Sequence, residues 1–184
     1  MLNRLSPRLA PGLTLACAAL LSLAGCASQN AGKAQVVGKA SEAHTNTLLG
    51  QVKTLEGEWI VTGPDGKPGT ITFKTSSAGS VVREVMFPGH PHEMTNVYHM
   101  DGPTCVVTHF CAIGNQPRMR ATKAQGNTIA FNFDSVSNLT AVDDQYMGGL
   151  TLTFIDSNHI TQTWKHYASG KVDSEVSFDL VRKQ

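Results

Sequence analysis

The sequence predicts an all-β protein: an antiparallel up-and-down barrel of about eight to ten strands with a short N-terminal helix. Three observations carry this expectation. From Glu56 onward the chain is a succession of short runs rich in Val, Ile, Thr, Phe and Tyr. The runs are separated by turn residues at hairpin spacing, among them Pro64-Asp65-Gly66, Asp101-Gly102, Gln125-Gly126-Asn127 and Ser169-Gly170, so consecutive strands are antiparallel neighbours. A meander of that length leaves two unpaired edges unless it closes on itself, and closure into a barrel removes both.

The first element is an export signal over residues 1–25. Arg4 and Arg8 precede the apolar stretch Leu13 to Leu23, which is too short to span a bilayer, and small residues follow. Leu23-Ala24-Gly25-Cys26 resembles the bacterial lipobox, which implies that Cys26 is acylated and becomes the first residue of the mature chain. By the same resemblance, Ala27 in the second mature position favours the outer membrane, with the domain facing the periplasm. Cleavage before Cys26 removes two arginines and no acid, so a formal charge of +1 becomes an excess of one negative charge. Neither value provides the basic field that nucleic acid requires.

Residues 26–41 are rich in Ala, Gly, Gln, Lys and Ser, the composition of a flexible tether. In the segment 42–55, Leu48, Leu49, Val52 and Leu55 recur at helical spacing, which predicts one short amphipathic helix able to cap a barrel end. Together with the strands, it makes residues 42–184 a single barrel domain. Ten strands are expected at 56–62, 69–76, 80–87, 93–100, 104–112, 118–124, 127–134, 149–156, 159–167 and 171–182, with one long link, Ser135 to Gly148.

Side-chain parity then assigns faces, because alternate residues of a strand point to opposite sides. Around the Asp101-Gly102 turn, a two- or four-residue loop groups Met94, Asn96, Tyr98, Met100, Cys105, Val107, His109 and Cys111 on one face, which reads as the interior. On later strands Ile129, Phe131, Phe133, Leu150, Leu152, Trp164 and Leu180 read as inward, with Gln162 and His166 on the face of Trp164. Asn96, Tyr98, His109, Gln162 and His166 are thus polar groups in an otherwise apolar lumen, as expected where one small ligand is oriented. The bland alternative is that they satisfy one another or nearby backbone.

Parity sends His99 and His109 to opposite faces, and His90-Pro91-His92 reads as a solvated loop, so no metal site is expected. Cys105 and Cys111 stand six residues apart on one strand, about 20 Å if straight, too far for a disulfide. The Gly114-Asn115-Gln116-Pro117-Arg118 cluster reads as a turn near the barrel mouth, with Gln116 or Arg118 as alternative ligand contacts.

A short motif adds a family resemblance. Leu55-Glu56-Gly57-Glu58-Trp59 resembles the Gly-x-Trp opening of the calycin barrels, which include lipocalins, fatty-acid-binding proteins and nitrobindin-like haem proteins, and Arg182 stands at the matching end of the last strand. The resemblance implies that Trp59 closes the barrel base beneath Arg182. Only Gly-x-Trp matches the lipocalin pattern, so retinoid-type binding is not implied. Pro91 to Arg120 and His159 to Trp164 also resemble uncharacterised bacterial lipocalin-like proteins, which imply no activity.

The combined expectation is a lipid-anchored periplasmic protein that binds a small, mostly apolar molecule in its lumen, without a cofactor. No Ser-His-Asp order, paired pocket carboxylates or phosphate loop argues for an enzyme. The alternatives are a haem or gas handler using a lumen histidine, and a structural or interaction protein of the cell envelope.

Overall fold

The computed structural model describes residues 36–62 and 66–184. The signal segment, Cys26 and most of the tether lie outside the described residues. Ten long strands form the expected closed antiparallel barrel: β1 (Gly57–Thr62), β2 (Pro68–Ser76), β3 (Val81–Met86), β4 (Met94–Asp101), β5 (Thr104–Phe110), β6 (Gln116–Ala121), β8 (Thr128–Ser137), β9 (Tyr146–Asp156), β10 (His159–Ala168) and β11 (Lys171–Arg182). The two-residue β7 (Ala124–Gln125) adds only a short hairpin to the start of β8. Neighbours pair in sequence order, β1 pairs with β11, and β6 pairs with β8 to close the ring.

The predicted single helix is two, α1 (Glu42–Thr47) and α2 (Leu49–Lys53), because Leu48 leaves helical geometry at φ −119° and ψ −86°. Ser41 caps α1, its side chain accepting from the His44 N–H at 3.2 Å. The apolar spacing still has its expected effect: Leu48, Leu49, Val52 and Leu55 are buried in the same cluster as Trp59 and plug one end of the barrel. Trp59 donates from Nε1 to the Leu55 carbonyl at 2.7 Å. Arg182 lies over its ring and donates to the carbonyls of Glu56 and Thr54, both at 2.7 Å.

At the turn after β4, Asp101 pairs with Thr104 and Met100 with Cys105, so the parity of β4 and β5 carries through and their predicted inward face is the observed one. Two expectations are corrected. Phe133 is 40% exposed and stacks with Tyr146 and Tyr167 instead of joining the core. The register slips by one residue where β8 passes β6 at Met119, which ends regular alternation there. The long link is also shorter than predicted, because β8 runs on to Ser137 and β9 begins at Tyr146.

Candidate functional site

β3 carries an acidic residue on its inward face. Val82, Glu84 and Met86 are buried, while Val81, Arg83 and Val85 alternate toward the other face. Glu84 is fully buried, and three side chains donate to its carboxylate: Tyr98 Oη to Oε2 at 2.6 Å, Asn96 Nδ2 to Oε2 at 2.8 Å and Gln162 Nε2 to Oε1 at 2.8 Å. β4 supplies Asn96 and Tyr98, with Asn96 directly across from Glu84, and Gln162 reaches in from β10 on the opposite side of the ring. Burial pushes the Glu84 carboxyl above its usual range, against the hydrogen bonds from Tyr98, Gln162 and Asn96 that pull the other way. Tyr98 is held well above its ordinary value by burial and then by the charge of Glu84.

The network continues to His109. Because Asn96 donates its nitrogen to Glu84, its Oδ1 is left to accept, and His109 Nδ1 lies 2.7 Å from it. His109 therefore carries its proton on Nδ1, and Nε2 presents a bare lone pair. That nitrogen is buried and has no hydrogen-bond partner among the described residues. Burial lowers the His109 pKa to about 4, so the ring is neutral at physiological pH. The Trp164 ring stands 4.8 Å away, and its Nε1 donates to Gln162 Oε1 at 3.3 Å, which ties the indole into the same network.

Four of the five expected lumen residues, Asn96, Tyr98, His109 and Gln162, are thus brought together, with Glu84 as the hub that sequence reasoning missed. His166 is not in the network. Its Nδ1 pairs with Asp173 Oδ2 at 3.1 Å, and the ladder is interrupted beside it in both neighbouring strands, where Asp173 of β11 and Gly148 of β9 are the extra residues, while Gln162 and Trp164 sit in regular pairing. The signal that could have found Glu84 is the apolar alternation Val82-x-x-x-Met86 around it, combined with Asn96 as its cross-strand partner.

The remaining candidates sit elsewhere. His90 and His92 are exposed on the loop between β3 and β4, and no group of three His, Cys, Asp or Glu among the described residues is placed to hold a metal. Cys105 and Cys111 are both free thiols, and burial pushes Cys105 up to about 12. Arg118 and Arg120 point outward and share Asp101 and Asp134 in a four-charge cluster, with Arg120 Nη1 at 2.9 Å from Asp101 and Nε at 2.8 Å from Asp134. Gln116 donates to the Gly114 carbonyl at 2.8 Å within its own turn.

Neither a family model nor a curated protein matches the chain. Among solved structures it is similar to Rv2717c from M. tuberculosis, with a TM-score of 0.51 and 14% identity over 74% of this chain and 97% of that one. Likeness at this identity extends to the barrel fold alone, a fold compatible with ligand binding.

Proposed function

We propose that the barrel binds one small, mostly apolar molecule, and that His109 meets its polar end. The observation that carries this reading is the unpartnered Nε2 of His109. A buried polar atom without a partner is uncommon, and here the whole network around Glu84 serves to fix the tautomer that leaves it bare. Asn96, Tyr98 and Gln162 each donate to Glu84, and Asn96 also accepts from His109 and so positions the imidazole. Native mass spectrometry of protein purified gently from its own membrane tests the reading: a co-purified small molecule lost in His109→Phe supports it. A fully apo protein whose buried nitrogen is filled by an ordered water contradicts it.

The same nitrogen favours a second reading in one respect. An imidazole whose Nδ1–H is held by an oxygen and whose Nε2 is bare is arranged as an iron ligand would be. Haem titration separates the two, since a Soret band that vanishes in His109→Phe belongs only to the haem reading.

The order Arg4, Arg8, apolar run and Leu23-Ala24-Gly25-Cys26 supports a lipid anchor at Cys26 and placement in the cell envelope, at the outer membrane facing the periplasm. Mass spectrometry of the native N-terminus tests this, with acylated Cys26 expected and a free Ala27 or intact Met1 as the contrary result.

A further inference from the structure

A second buried side-chain atom with no partner among the described residues is the Oδ1 of Asn115. Asn115 is 4% exposed and His109 2%. The third such atom, Nε of Arg118, belongs to the outward charge cluster, 3.7 Å from Asp134. Asn115 continues the inward alternation of β6, where Pro117, Met119 and Ala121 are buried while Gln116, Arg118 and Arg120 are half-exposed. The Cys111 N–H donates to the Asn115 carbonyl at 3.1 Å, which extends the β5–β6 register past Thr108 and Arg118. His109 and Asn115 are then diagonal neighbours on one face of an antiparallel pair, with α-carbons about 7–8 Å apart. Both lie toward the barrel end opposite the helices.

Both orphan atoms are acceptors. Asn115 donates its Nδ2 to the Gln145 carbonyl at 2.8 Å, which fixes the amide with Oδ1 free, and His109 spends its only proton on Asn96. An acid entering this end would meet two lone pairs, that of His109 backed through Asn96 by the Glu84 carboxyl, and no arginine or lysine on the inward face of β5 or β6 would receive it. Resting on the binding reading above, we propose that the barrel selects an uncharged ligand that donates hydrogen bonds, an amide or alcohol with an apolar remainder, and rejects carboxylates. Burial keeps His109 from becoming the cation that could reverse this preference at neutral pH.

A matched series tests the proposal: decanamide, 1-decanol and decanoate, titrated into the intact protein at neutral pH with Trp164 fluorescence and calorimetry as readouts. Decanamide and decanol are expected to bind at least about tenfold more tightly than decanoate, the discrimination that unpaired buried acceptors impose. Decanoate binding as tightly as the other two overturns the acceptor assignment while leaving the binding reading intact. No response to any of the three overturns the binding reading and this inference with it. His109→Phe should reduce the discrimination to what Asn115 alone imposes. Asn115→Leu, which leaves the Glu84 network untouched, should weaken decanamide, with its two N–H donors, by about tenfold and decanol less. Unchanged decanamide affinity in Asn115→Leu overturns the role of Asn115 even if the His109 variant fails to fold.

Discussion

The guanidinium carbon of Arg182 lies 4.3 Å from the centroid of the Trp59 ring, so the last residue of β11 seals the first strand of the barrel. Trp59 is fully buried, with the α2 side chains beneath it and Phe73 edge-on at 6.4 Å. Trp59→Ala should therefore cost about 3–5 kcal/mol in urea denaturation, the range for a large buried aromatic. Arg182→Lys keeps the charge but loses the planar fork that reaches Thr54, Glu56 and Ser157, and should cost about 1–3 kcal/mol. A Trp59→Ala loss within experimental noise would show that this end is not sealed by the pair.

Glu84 holds three buried donors, so its removal is costlier than its charge alone suggests. Glu84→Ala leaves Asn96, Tyr98 and Gln162 without an acceptor in the core and should destabilise by about 3–5 kcal/mol. Glu84→Gln keeps one acceptor oxygen and should cost less. Tyr98→Phe removes a single bond, for about 1–3 kcal/mol. Equal stability of Glu84→Ala and the parent protein would refute the network as a structural unit.

The buried histidine makes stability depend on pH. The unfolded chain binds its His109 proton near 6.5 and the folded chain near 4. Between these values the unfolded state holds more protons, so stability rises with pH and is lost as pH falls, by about 3 kcal/mol across the window. Glu84 acts in the opposite sense, since its raised folded pKa favours the acid end and its contribution is lost as pH rises from the unfolded value toward the folded one. Relative to the parent, the pH 7 urea midpoint should fall against the pH 5 midpoint in His109→Phe and rise against it in Glu84→Gln. A His109→Phe profile parallel to that of the parent would contradict the assignment.

Gly148 makes room for an aromatic stack. A Cβ there would stand 2.6 Å from Tyr167 and 3.1 Å from Tyr146, whose rings lie 5.3 Å apart and nearly parallel at 12°. Gly148→Ala should cost about 1–3 kcal/mol by overpacking and change the near-ultraviolet circular dichroism of the tyrosines. An unchanged spectrum would mean that the stack does not depend on the glycine.

What the sequence made legible follows from which constraints are local. The inward face of β4 and β5 could be read because the short turn at Gly102-Pro103 transmits parity without a bulge. Strand order and the sealing of Trp59 by Arg182 were legible from turn spacing and a short end motif. His166 escaped the same reasoning because bulges in both neighbouring strands, at Gly148 and Asp173, fall beside it and supply Asp173 as its partner, and bulges leave no simple mark in composition. Phe133 was lost to a shift in the same way. Glu84 was missed because nothing near it in the chain announces a buried acid; its satisfaction depends on Gln162, 78 residues away. The kink at Leu48 left the apolar spacing of the helical segment intact, so its burial was predictable although its continuity was not.

The bare Nε2 of His109 is the group proposed to meet the ligand, and a long-range 1H–15N correlation spectrum of the folded protein reads it directly. The Nδ1–H tautomer is expected at pH 7, with an unprotonated Nε2 resonance that moves upfield on addition of decanamide as the lone pair accepts a hydrogen bond. A proton resident on Nε2, or an Nε2 resonance unmoved at saturating decanamide, would contradict it.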